Sequence, residues 1–152
     1  MFIKYKNIKE KYNLNIKTIL HVGAHLAEEH NDYFENGCEK VIWIEGNPEL
    51  TSVLKEKLDK SKNIILNYIV SDKDDELINF MITNNGQSSS ILELGEHKKI
   101  YPNIYVQKEM SLVSKTLNSV FIENKLNFSD IDMINLDIQG AELKALKGIG
   151  DN

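Results

Sequence analysis

Residues 20–30 read "LHVGAHLAEEH" and place three of the chain's four histidines beside two carboxylates, directly after a short apolar run. Three uses compete for such a stretch: metal ligation, acid/base catalysis, and a backbone turn that holds a ligand. Helical zinc sites set histidines on one face, as in H-E-x-x-H; that motif is absent, and His21, His25 and His30 share no helical face. The turn reading is stronger. Gly23 follows the β-prone segment "TILHVGA" (18–24), where a nucleotide-binding parallel sheet needs a glycine because the backbone passes close to the ligand and opens a helix. In such sheets an acid at the tip of the second strand, about 20 residues on, accepts the ribose hydroxyls. Glu45 in "KVIWIEG" (40–46) stands at that spacing, and Gly23 with Glu45 points to a bound nucleoside.

The same turn discriminates among nucleoside cofactors. Dinucleotide turns read G-x-G-x-x-G and phosphate loops G-x-x-x-x-G-K-[ST]. "GAHLAEE" is neither, with Ala24, His25 and Ala27 where further glycines would stand. Glu28 and Glu29 would repel a pyrophosphate. S-adenosylmethionine, which carries a positive sulfonium and no phosphate, suits these residues better, and a dinucleotide oxidoreductase is the weaker rival.

The elements that must position these residues alternate in period. The stretch 26–36 has helical spacing (Leu26, Tyr33, Phe34) and stops at Gly37. Asn47 is placed to cap a helix with Pro48 at its first position and Leu50, Val53, Leu54 and Leu58 inward. "NIILNYIV" (63–70) is a third strand, and strand-helix-strand-helix-strand is the signature of a parallel sheet with right-handed crossovers. "LINFMIT" (77–83) and "NIYVQKEMSLV" (104–113) are expected to pair antiparallel. A helix over 114–126 and a buried strand "DMINLDI" (132–138) follow. No linker or repeat interrupts residues 1–152, so one α/β domain is expected.

Composition limits the partners. The net charge is −5, and all 18 basic residues are lysine. Without arginine there is no bidentate fork for guanine or phosphate, so nucleic acid is not expected as a partner. No window reaches the ~18 apolar residues of a membrane span, and the N-terminus lacks the apolar core of a secretory signal, so a cytoplasmic location is expected. Cys38 stands alone, without a partner for a disulfide or a thiolate metal site.

The strings "HVGAHLAEE", "VIWIEGNPEL", "GQSSSIL" with His97 after it, and "INLDIQGAELKALKG" resemble, in order, the motifs of the FkbM-type methyltransferases. The resemblance spans about residues 19–148. It implies a Rossmann-like, mostly parallel sheet with a small antiparallel insertion, S-adenosylmethionine as cofactor, and O-methylation of a sugar, glycan or other small hydroxylated molecule. It further implies that Gly23, Ala24 and His25 contact the methionine part, Glu45 with Gly46 and Asn47 the ribose, Asp72 the adenine edge, and Asp137 the place beside the transferred methyl. The chain differs from the family pattern at His21, often an acid, and at Ala27, often glycine. The family fold ordinarily continues for several strands beyond "DIQGAELKALKG". The domain is therefore expected to be incomplete at its C-terminus, with "MINLDI" an exposed sheet edge through which copies of the chain could associate. A module that keeps the sheet but has lost catalysis is the alternative.

Methyl transfer to a hydroxyl needs alignment first and a base second. Candidates for the base are Asp137, at the carboxyl end of a strand where ligands of open α/β sheets sit, Glu142 at the next helix start, and His97, whose ordinary pKa suits proton transfer. Ser88, Ser89 and Ser90 follow Asn-Gly and are first of all a turn. Asp130, Asp132, Asp137 and Glu142 do not all meet in one metal site, because Asp132 and Asp137 fall near opposite ends of one strand, about 16 Å apart; two of them with substrate oxygens remain an alternative site for a hard cation such as Mg²⁺.

Overall fold

A computed structural model describes residues 4–83 and 105–150. The strands in chain order are β1 (Thr18–Val22), β2 (Lys40–Glu45), β3 (Asn63–Asn67), β4 (Ile69–Val70), β5 (Leu77–Thr83), β6 (Val106–Lys115) and β7 (Met133–Leu136). The helices are α1 (Tyr5–Tyr12), α2 (His30–Glu35), α3 (Pro48–Lys57), α4 (Leu117–Glu123) and α5 (Glu142–Lys147).

Four strands form a parallel sheet in the order β3-β2-β1-β7. Its central strands read as unbroken apolar runs because both faces are covered. On one face Ile19, Val41, Trp43 and Ile65 pack with Tyr5, Tyr33 and Leu54 from α1, α2 and α3. On the other, Leu20, Val22, Ile42 and Ile44 pack with Leu117, Val120, Phe121 and Ala145 from α4 and α5. This is the α/β, Rossmann-like arrangement expected from the alternating pattern. The antiparallel insertion is present as well: β5 pairs with β6 antiparallel, and β6 carries the two-residue β4 in parallel on its other side.

Several boundaries differ from the sequence reading. Helix α2 begins at His30 rather than at residue 26, because His25 and Ala27 have φ of 44° and 56° and the chain is still turning there. The apolar run 63–70 divides between two sheets: the Tyr68 amide donates to the Glu45 carbonyl as the last bond to β2, and Ile69 and Val70 then pair with β6. Strand β6 runs to Lys115, so α4 starts only after Thr116, whose hydroxyl accepts from the Ser119 amide as an N-cap. The cap expected at Asn47 is present, with its side chain accepting from the Glu49 amide at 2.9 Å. Helix α1 lies outside the elements read from the sequence; its Tyr5 is buried against Tyr33, and the Tyr5 amide donates to Asp32.

The chain visits β1, β2 and β3 outward and then returns to place β7 on the other side of β1. Such a reversal opens a crevice at the carboxyl ends of the two strands that flank it. Strand β7 pairs only with β1 among the described residues, so it lies at the sheet edge, as the resemblance implies. Its start is stapled by Asp132, whose Oδ2 accepts from the amides of Lys17 and Thr18 at 2.8 and 2.9 Å.

At the other end the two strands touch through backbone. Gly23 has φ of 90°, and a Cβ there would lie 1.9 Å from the Asp137 carbonyl oxygen. Both the left-handed conformation and the contact exclude a side chain. Gly23→Ala is expected to cost about 3 kcal/mol or more, from left-handed strain plus displacement of the β7 end. Urea denaturation checks this; an unchanged midpoint would mean the two strand ends are not tightly apposed.

Candidate functional site

Strand register brings the implicated residues to one edge. Val22 pairs with Ile44 on β2 and with Leu136 on β7, so the next residues, Gly23, Glu45 and Asp137, leave the sheet side by side. The Gly23 and Ala24 amides both donate to the Ile44 carbonyl, at 2.8 and 3.1 Å, and the turn beyond them uses left-handed backbone at Gly23, His25 and Ala27. The positive φ at Ala27 is one that glycine adopts without strain. Ala27 accepts the strain and gains burial in the apolar layer.

Glu45 is the most constrained acid. It is 7% exposed, and its two carboxylate oxygens accept from the His25 and Asn47 amides, each at 2.8 Å. It thus ties the β1 turn to the β2 turn, an employment its spacing did not reveal. Burial raises its pKa, and those amide bonds oppose the rise. The next residue, Gly46, faces Ile69.

A second group of acids gathers at the crevice between β1 and β7. Asp137 is held by the Gln139 side-chain amide at 2.9 Å, and its pKa is raised by burial and then by the Glu142 carboxylate, with Glu28 adding to the rise. Glu29 is raised by burial, with the Glu28 and Asp137 charges adding to it. His25 pairs with Glu28 through Nδ1 at 2.6 Å. None of the lysine ion pairs among the described residues reaches Glu28, Glu29 or Asp137. Glu28, Glu29 and Asp137 thus concentrate negative charge on this side of the turn.

The other named residues have different surroundings. Oε1 of Glu142 accepts from the Ile138 and Gly140 amides, both at 3.1 Å, and so braces the turn after β7. Asp72 follows β4, accepts from the Ser71 hydroxyl, and feels the charge of Lys144 on α5. His97 and Ser88 to Ser90 lie outside the described residues. Asp132 and Asp137 stand at opposite ends of β7, as their spacing required, and no three His, Cys, Asp or Glu side chains converge as around a metal ion among the described residues.

A family model described as "Methyltransferase FkbM domain" matches residues 21–152. The chain belongs to that family. No curated protein and no solved structure matches it. For this FkbM domain the match begins at His21, a residue that composition and spacing alone left without a role.

In the FkbM domain His21 is 2% exposed. Its ring packs at a tilt against Trp43 at 4.9 Å between centroids, and its Nδ1 lies 3.0 Å from the Tyr33 hydroxyl. Burial lowers its pKa to about 4. In the unfolded chain it titrates near the ordinary histidine value of about 6.5. Between these two pH values the unfolded chain binds a proton that the folded chain refuses. Stability is accordingly complete above the unfolded pKa and falls as the pH drops towards the folded one. The expected loss is on the order of 3 kcal/mol. Denaturant unfolding across this range should show it, and the slope should shrink in His21→Asn; a proton NMR titration of His21 at its ordinary pKa would contradict the burial.

Proposed function

We propose that the chain is an S-adenosylmethionine-dependent O-methyltransferase acting in the cytoplasm on a hydroxyl of a small molecule or glycan. One observation carries the reading: carboxylates without lysine partners, Glu28, Glu29 and Asp137, meet at the crevice where the strand order reverses. S-adenosylmethionine presents an ammonium and a sulfonium, and the donor set fits two cations and repels a phosphate. When bound, it supplies an electrophilic methyl group.

The chain's own residues then divide the work. The turn at Gly23, Ala24 and His25 forms the wall against the methionine part, with Glu28 and Glu29 balancing its charge. The ribose hydroxyls fall to the lone pairs of Glu45 not used by the His25 and Asn47 amides, next to Gly46 and Asn47. Asp72 is assigned the adenine edge. Asp137 receives the proton of the acceptor hydroxyl, and burial beside Glu142 makes it a stronger base than an exposed aspartate.

Calorimetry with cationic S-adenosylmethionine and with its neutral product S-adenosylhomocysteine tests the reading. Both should bind, and Glu29→Gln should weaken the cationic ligand about tenfold more than the neutral one, a difference of roughly 1.4 kcal/mol. Absence of binding by either ligand at about 1 mM, the weak end of the affinity scale, would overturn it. Glu45→Ala strips an acceptor from two amides and threatens the fold, so Glu45→Gln is the informative change. It should lower affinity for both ligands by about tenfold or more.

A further inference from the structure

We propose that the hydrogen-bonded cluster of Asn135, Tyr33 and His21 ties the strand before the β1–α2 turn to the helix after it, making His21 a positioning residue of the ligand turn. The proposal rests on the cofactor reading above only for its consequence on binding; the relay itself stands on geometry. His21, Trp43 and Asn135 are neighbours across three strands: His21 pairs in register with Trp43 on β2 and with Asn135 on β7. Tyr33 reaches the same point from α2, so a single cluster joins the helix after the turn to the strands on either side of it.

The direction of each hydrogen follows from the donor inventory. The Asn135 side-chain nitrogen only donates, and it lies 2.7 Å from the Tyr33 oxygen, which therefore accepts. The Tyr33 hydroxyl proton is left to donate to His21 Nδ1 at 3.0 Å. The Asn135 nitrogen also reaches that Nδ1 at 3.4 Å. With donors on that side, Nδ1 is the acceptor and the neutral ring carries its proton on Nε2. The other groups facing the ring are the Trp43 indole and, electrostatically, the Glu28 carboxylate.

The turn is thereby held from two sides. The Gly23 and Ala24 amides are bound to the Ile44 carbonyl, and the cluster ties His21, just before the turn, to Tyr33 on the helix after it. A peptide held in one orientation presents the next residues, Ala24 and His25, to the crevice at little further entropic cost.

Nitrogen-15 NMR of the native protein reads the relay directly, and the expected result is a neutral His21 in the Nε2–H form. Tyr33→Phe keeps the ring against Tyr5 and Trp43 and deletes only the hydroxyl. It should mix the two tautomers, speed amide hydrogen exchange at Gly23 and Ala24 by about tenfold, and weaken S-adenosylhomocysteine by a similar factor. An Nδ1–H tautomer in the native protein, or unchanged exchange at Gly23 and Ala24 in Tyr33→Phe, would overturn the proposal. The tautomer of the native protein needs no variant, so it decides even if Tyr33→Phe does not fold. Failure of the native protein to bind S-adenosylhomocysteine would count against the cofactor reading, while tautomer and exchange would still judge the relay.

Discussion

The backbone contact between Gly23 and Asp137 is the constraint on which the rest of the site depends. A methyl at Gly23 would lie 1.9 Å from the Asp137 carbonyl oxygen, and the Asp137 amide donates to the Val22 carbonyl at 2.9 Å. The end of β7 is thus pressed onto the turn that leaves β1. Because the chain reaches β7 only after β2, β3 and the antiparallel insertion, this contact also closes the sheet on the far side of β1. Asp132 holds the opposite end of the same strand pair, so β7 is fixed at both ends by bonds to the β1 backbone.

Placing carboxylates at this closure has an electrostatic cost. Glu29, Glu45 and Asp137 all have raised pKa values, in each case chiefly from burial. Two solutions offset that cost. Glu45 is satisfied internally, by two backbone amides that lock the neighbouring turns. Glu29 and Asp137 instead repel each other across the crevice, an arrangement that a bound cation relieves.

Beneath the turn the polar demand is met differently. His21 occupies a strand position between apolar neighbours and is kept neutral by burial. A neutral imidazole has one donor and one acceptor, and at Nδ1 the cluster offers the Tyr33 hydroxyl at 3.0 Å and the Asn135 side-chain amide at 3.4 Å. The aromatic stack of His21, Tyr33 and Trp43 supplies the packing around it. A histidine thus serves in this position without carrying charge into the core.

The sequence alone determined the parallel α/β sheet, the glycine turn, the acid at the β2 tip and the Asn47-Pro48 helix start, because each rests on local chemistry: strand periodicity, left-handed backbone, spacing and capping. It did not show that α1 docks through Tyr5, its one buried residue, because that contact is made with Tyr33 of a distant helix, nor the break at Tyr68, because an apolar run reads alike whether it serves one sheet or two. It singled out the histidines of "LHVGAHLAEEH" without separating their work, since only the register of β1 against β2 and β7 sets His21 between Trp43 and Asn135 while His25 turns out to Glu28. The sequence assigned Glu45 to the ribose and gave Asp137 and Glu142 as candidate bases. Tertiary structure alone decided that Glu45 and Glu142 brace turns through backbone amides while Asp137 faces Glu29, because hydrogen-bond partners are fixed by which strand ends meet, and that depends on strand order rather than on distance along the chain.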